Sequence, residues 1–269
     1  MLRDITLGQY YQTDSILHKL DPRIKLIGTF WFIVALFLVK NFIGYAVALL
    51  FLATCIKLSR VPFKFIVKGM KSILILLLIT MVFNLVLTPG RELAHLGPIK
   101  VTYEGLTIAA KMAIRLTMLI IGSSILTLTT TPSNLTDGME KLFAPLKVFK
   151  VPVHEVAMMM SIALRFIPIL LEETDKIMKA QMARAADFES GNLIQRAKSL
   201  GALLEPLFLS AFQRALDLAM AMEARCYRGG EGRTKMKPLV YAHRDYAARA
   251  IIYLFVIATV VLGRMNIGI

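Results

Sequence analysis

Two apolar runs, LIGTFWFIVALFLV (Leu26–Val39) and FIGYAVALLFLATCI (Phe42–Ile56), decide how this chain folds, and only Lys40 and Asn41 lie between them. A helix needs about 20 largely apolar residues to cross roughly 30 Å of hydrocarbon, and each run approaches that length once its flanks are added. The short link makes them a tight hairpin of two membrane spans. Three more runs follow: Ser72–Thr88, closed by Pro89 and Gly90; Gly105–Thr131, interrupted by Lys111 and Arg115; and Ala247–Leu262. About five spans are expected.

The composition agrees. Of the 269 residues, 57% are hydrophobic, and the mean hydropathy is +0.63. Soluble domains sit near 45–50% on a similar count, so the excess must face lipid. Met1 to Lys25 is polar and has no short apolar core with a small-residue cleavage site, so no removable signal peptide is read. A net charge of +14 would suggest nucleic acid in a soluble protein. In a membrane protein it belongs to cytoplasm-facing loops, and no nucleic-acid partner is expected. The two cysteines, Cys55 and Cys226, support neither a disulfide framework nor a thiolate metal site.

Orientation follows from the loops. Between the second and third spans lie Lys57, Arg60, Lys64, Lys68 and Lys71 with no acid among them, which marks the cytoplasmic side. The loop Pro89 to Glu104 balances Arg91 and Lys100 against Glu92 and Glu104, which suits the outer face. Five spans then put the N-terminus inside and the C-terminus outside.

The middle third carries two further apolar stretches, Ala157–Leu171 and Ala202–Met222. The first is short and contains Arg165. The second contains Glu205, Arg214 and Asp217, each costing about 2.5–3.5 kcal/mol at the bilayer centre on insertion scales. Amphipathic helices at the inner membrane face fit better. Thr131 can cap a helix opened by Pro132 and running to about Phe149. Pro152 can open a longer one to about Phe188, kinked at Pro168 and broken by Gly191. Asn192 can cap a third, ending before Gly229 and Gly230. The fold class read from these signals is an all-α polytopic membrane protein: transmembrane helices 1 to 4 in residues 1–131, three amphipathic cytoplasmic helices in 132–244, and a final transmembrane helix in 245–269.

Enzyme signatures are missing: there is no GxxxxGK[ST], no HExxH and no GxSxG, and the four histidines are scattered. No catalytic residue, cofactor or metal is assigned. Three polar residues lie inside spans: Asn84, Lys111 and Arg115. Lys111 is near enough to the outer boundary to snorkel. Arg115 lies deeper and is a candidate partner of Asn84. Gly105, Ala109 and Ala113, like Gly44 and Ala48, recur every four residues and allow close helix approach. Methionines gather on the cytoplasmic helices at Met158, Met159, Met160, Met178, Met182, Met220 and Met222, which suits either an adaptable contact surface or core filling.

The strongest local signal is a pair of similar helix ends. Ala183-Arg184-Ala185 and Ala224-Arg225-Cys226 each set an arginine between small residues. Small neighbours admit a partner's backbone, and the guanidinium offers a rigid fork to carboxylates or carbonyls. A helix-terminal arginine also favours its own dipole without any partner.

These residues resemble the transmembrane coupling subunit, or T component, of energy-coupling-factor (ECF) transporters, prokaryotic ABC-type importers of vitamins and some metal ions. The likeness is carried by Leu20-Asp21-Pro22-Arg23-Ile24-Lys25, Thr129-Thr130-Thr131-Pro132, Ala163-Leu164-Arg165-Phe166-Ile167-Pro168 and the two Ala-Arg pairs, in order along nearly the whole chain. The resemblance implies that Arg184 and Arg225, with their neighbours, end coupling helices that dock into two ABC ATPase subunits. It also implies that a separate substrate-binding membrane (S) subunit contacts the Met-rich faces, and that this chain is itself non-catalytic. The family's third motif position is usually glycine, where this chain has Ala185 and Cys226, so later helix stops at Gly191 and Gly229 remain open. A self-sufficient permease with Arg115 and Asn84 lining a path is the alternative.

Overall fold

The computed structural model describes residues 10–39, 41–89, 92–96, 99–184, 193–230, 235–236 and 238–264. Its contacts divide the described residues into two units, one within 8–141 and 239–269 and one within 142–238.

The larger unit is a helical bundle. Its α1 (Pro22–Leu38) begins where Asp21 accepts the Arg23 amide at 2.8 Å and Pro22 takes the first helical position. Proline is pre-set for that position, and the carboxylate caps an amide that would otherwise be unpaired. The next helix, α2 (Phe42–Ser59), stops at Arg60, whose φ of 54° is left-handed. It is followed by α3 (Phe63–Leu87). A short antiparallel hairpin, β1 (Glu92–Leu96) with β2 (Ile99–Thr102), joins α3 to α4 (Tyr103–Thr129). The all-helical reading of the sequence had no place for this hairpin. The alternation Ile99-Lys100-Val101-Thr102, rich in β-branched residues, is its local cause. Thr102 then turns the chain, donating to the Thr88 carbonyl at 2.8 Å and accepting the Gly105 amide at 3.2 Å.

Helix α5 (Pro132–Phe143) starts as its sequence requires, with the Thr131 hydroxyl accepting the Asn134 amide at 3.3 Å. It gives way to a 3-10 segment, Ala144–Phe149, so the helix expected to reach Phe149 is α-helical for only its first 12 residues. The α5 helix lies on the start of α1: a methyl at Gly138 would meet the Pro22 side chain at 3.0 Å. The last helix, α8 (His243–Arg264), returns to pack on α1 and α2, while α4 packs on α1, α2 and α3.

Small residues make these approaches possible. A side chain at Gly122 would strike the Phe32 ring at 2.6 Å, and one at Gly105 would sit 3.2 Å from the Asn84 and Leu85 carbonyls. Ala48 and Ala109 are fully buried. The small-residue rows are thus used for packing within this chain. Around them Phe51 stacks on Phe255 at 4.3 Å, with Phe32 beside both. Leu49, Leu50, Phe83, Leu254 and Ile257 point outward. Such apolar surface is what lipid solvates.

The second unit holds α6 (Val153–Ala183) and α7 (Leu193–Ala224), which pack on each other. Both run uninterrupted through a proline, Pro168 and Pro206. Among the described residues, four helices are long and apolar enough to cross a membrane: α2, α4, α6 and α8. The sequence reads the apolar stretch Ala157–Leu171 of α6 as part of an amphipathic helix at the inner membrane face, and length and composition alone put α6 among these four. The helix around that stretch is 31 residues long and has a sufficient window. The 17-residue α1 packs on α4 and α8 and leaves Phe30, Phe37 and Leu38 exposed. The protein is an all-α polytopic membrane protein with one small hairpin between two of its helices.

Candidate functional site

The two arginine-bearing helix ends stop at their motifs rather than at later glycines. In α6 the last helical residue is Ala183, and the Arg184 amide bonds the Gln181 carbonyl at 3.0 Å. The expected end near Phe188 is therefore too late. Ala185, Gly191 and Asn192 lie outside the described residues. In α7 the last helical residue is Ala224, and Cys226 adopts a φ of 54°. The Tyr227 amide reaches the Met222 carbonyl at 3.1 Å, and the Cys226 amide the Glu223 carbonyl at 2.8 Å. This pair of bonds is the Schellman closure usually built on glycine. Cys226 occupies the glycine position in the left-handed conformation, and strain of roughly 1–2 kcal/mol is the expected cost of its β-carbon. The helix therefore stops without glycine.

Three contacts order the two helices. Gly230 just beyond α7 lies against His154 at the start of α6, Arg214 pairs with Glu173, and Gln181 reaches the Ala202 carbonyl at 3.5 Å. As α6 is followed forward, α7 is followed backward, so the pair is antiparallel and Arg184 and Arg225 sit at opposite ends. With a rise of about 1.5 Å per residue, the stretch of α7 from Ala202 to Arg225 separates them by roughly 35 Å. Ala183, Arg184, Ala224, Arg225 and Cys226 are all exposed. Neither guanidinium has a hydrogen-bond or ion-pair partner among the described residues.

The sequence reading passed over Pro206. A helical proline leaves the carbonyl four residues earlier without its donor. For Pro206 that carbonyl belongs to Ala202, the group Gln181 approaches from the last turn of α6. A proline in the middle of an apolar run was the available signal. Pro168 deprives Leu164 of its donor in the same way, and Arg165 beside it is exposed. On α7, Leu204, Phe208, Phe212, Leu216 and Met220 recur every fourth residue and are each more than half exposed. Met159 and Met160 on α6 are exposed as well.

The other motif residues gather far from these ends in sequence, inside the bundle. Asp21 forks onto Arg23, with contacts of 3.0 and 2.8 Å, and the Asp21 amide donates to Asp245 at 2.9 Å. Asp245, at the start of α8 and 2% exposed, also accepts the Ala242 amide at 2.8 Å. Lys25 donates to the Thr129 carbonyl at 2.9 Å and to the Thr130 hydroxyl and His18 carbonyl at 3.3 Å. The Leu20–Lys25 and Thr129–Pro132 motifs are thereby tied to each other and to α8. Beside them His18 contacts the Ser15 hydroxyl at 2.6 Å and the Tyr11 carbonyl at 2.9 Å, and burial pushes its imidazole pKa down.

The intramembrane polar residues also find partners. Arg115 does not pair with Asn84. Its guanidinium donates to the Tyr45 hydroxyl at 3.0 Å and to the Val39 carbonyl at 3.1 Å, because the α1–α2 corner brings a helix-end carbonyl to that depth. Asn84 donates to the Thr80 carbonyl of its own helix at 2.8 Å. Both residues nonetheless line one cavity of about 310 Å³. Lys111 lies over the Phe42 ring, 5.0 Å from its centroid.

Comparison with known proteins draws these motifs together. Residues 13–236 match the cobalt transport protein family. A protein of Clostridium kluyveri named energy-coupling factor transporter transmembrane protein is 57% identical over 250 residues, covering 92% of this chain and 93% of its own. Proteins of the same name from Thermosediminibacter oceani and Bacillus subtilis are 54% and 50% identical, each over more than nine-tenths of both chains. With such likeness along almost its whole length, the chain belongs to the family of transmembrane components of energy-coupling factor transporters.

Proposed function

We propose that this protein couples two ABC ATPase subunits to a separate substrate-binding membrane subunit, one ATPase at each end of the α6–α7 pair, during uptake of a vitamin or other micronutrient. The carrying observation is the placement of Arg184 and Arg225: exposed, without a side-chain partner among the described residues, and roughly 35 Å apart at opposite helix ends. A guanidinium at such an end can bond the carboxylates or carbonyls of a groove in a fork that lysine cannot copy. Two equivalent ends at that distance suit two similar partners better than one.

In this reading residues 132–244 are the coupling segment, residues 1–131 hold the first four spans, and 245–269 hold the last. The basic link Lys57 to Lys71 puts the N-terminus and the coupling segment on the cytoplasmic side. ATP-driven closure of the ATPases draws the two arginine ends together. The paired helices carry that motion to the substrate-binding subunit, which sits on the exposed apolar row from Leu204 to Met220 and on the methionines of α6. Arg165 and Pro168 mark where α6 yields. The protein itself transforms no substrate. Arg115 spends its hydrogen bonds on Tyr45 and Val39, which weighs against a transport path of its own through Asn84.

The test is the Arg184→Glu, Arg225→Glu double variant in the assembled complex. Loss of ATPase co-purification and of ATP-driven uptake, with the membrane subunits still folded and associated, is the expected result. Unchanged uptake would overturn the proposal.

A further inference from the structure

A cavity of about 320 Å³ opens between α1, α2, α4 and α8. This is at the lower end of the range for ligand cavities, about 300–1,000 Å³. It is elongated along the helices. On α1 its wall runs from Ile24 and Lys25 through Gly28 to Phe32, about 12 Å of helix. On α8 it runs from Arg244 to Ile252. The deep end is wholly apolar, with Phe32, Phe51 and Ile252 in its wall, and the end near the starts of α1 and α8 carries Lys25 and Arg244. Among the described residues no carboxylate lines it.

The two cations are in different states. Lys25 has spent its donors on three neutral oxygens, so its charge has no carboxylate in contact. Arg244 is exposed and makes no ion pair among the described residues. The nearby acids are already engaged, Asp21 by Arg23 and Asp245 by two amides. At the rim Ile16, Leu58 and Ile251 are exposed, so the cavity opens toward the surroundings of the bundle through apolar side chains. Water gains few partners in such a space, and an empty cleft forfeits dispersion contacts. A basic end joined to an apolar slot between transmembrane helices matches an anionic amphiphile.

We propose that this cavity holds an acyl chain of an anionic glycerophospholipid, from the leaflet facing the N-terminal ends of α1 and α8, with the phosphate on Arg244. The lipid completes the packing between α1 and α8, the two helices that the Asp21–Asp245 contact joins. The proposal rests on the chain spanning a membrane and not on the coupling role, so either can fail alone.

Native mass spectrometry of the full chain, titrated with phosphatidylglycerol or with phosphatidylcholine of the same acyl chains, tests it. One phosphatidylglycerol per chain is expected to be retained in preference to phosphatidylcholine. Arg244→Gln, at an exposed position, should weaken phosphatidylglycerol retention about fivefold and leave phosphatidylcholine unchanged. Leu126→Trp, which fills the slot, should abolish retention of both. Equal retention of the two lipids by the unaltered chain, or phosphatidylglycerol retention unmoved by Arg244→Gln, would overturn the proposal and reduce the cavity to a site for annular lipid only.

Discussion

Arg23 and Arg225 both belong to motifs at helix ends, and they are used in opposite ways. Arg23 is clamped by Asp21, stacks at 3.8 Å on Tyr241, and reaches the Leu239 carbonyl at 3.2 Å. Arg225 stands in solvent on a closed helix end with nothing to bond among the described residues. The first arrangement spends its polar groups within the bundle. The second leaves them unbonded among the described residues, which on the proposed coupling role is what docking needs. The difference separates residues that hold the fold from residues available for docking, although one family pattern contains both.

The sharpest way to break this contrast is to change both kinds of site and read stability and transport together. Arg225→Glu should lower ATP-driven uptake in proteoliposomes by about a hundredfold or more, since reversing a charge in a docked pair costs several kcal/mol. Thermal unfolding of the chain should not move. A lowered unfolding temperature would make Arg225 a structural residue like Arg23.

Asp245→Ala should do the reverse. It strips the acceptor from two amides at a buried site, so a loss of about 3 kcal/mol in unfolding free energy is expected. Any loss of uptake should then follow the loss of folded protein. Uptake lost at full stability would mean that the bundle contacts themselves take part in coupling.

A smaller effect should come from Cys226→Gly. Removing a β-carbon from the left-handed position should stabilise the end of α7 by about 1 kcal/mol, read as slower amide exchange at Tyr227 with uptake intact. Faster exchange would refute the account of how α7 ends. Smallest is the pH effect of His18, whose folded-state pKa lies below its ordinary 6.5. The stability it gives is present above pH 6.5 and is lost as the pH falls toward the folded value, because the unfolded chain binds the proton more readily. His18→Gln should flatten the unfolding profile in that window.

Much of this was legible in the sequence. Apolar runs near 20 residues announce spans because lipid tolerates little else, and Asp21-Pro22 and Thr131-Pro132 announce helix starts because cap and proline agree. The two arginine ends were legible as a pair. What escaped depended on tertiary company. Cys226 breaks the glycine rule and still stops the helix, so a reading based on glycines ran too long. Arg115 was matched to the wrong partner because only the folded α1–α2 corner supplies the Val39 carbonyl and Tyr45 hydroxyl. Pro206 was readable, yet its meaning lies in Gln181 reaching the carbonyl it frees.

The central claim is that each arginine end engages its own ATPase. The direct measurement is native mass spectrometry of complexes assembled without nucleotide from the unaltered chain, Arg184→Glu, Arg225→Glu and the double variant. The account predicts two ATPase subunits bound, then one, one and none. Two ATPases retained by the double variant, or both lost from either single variant, would contradict it.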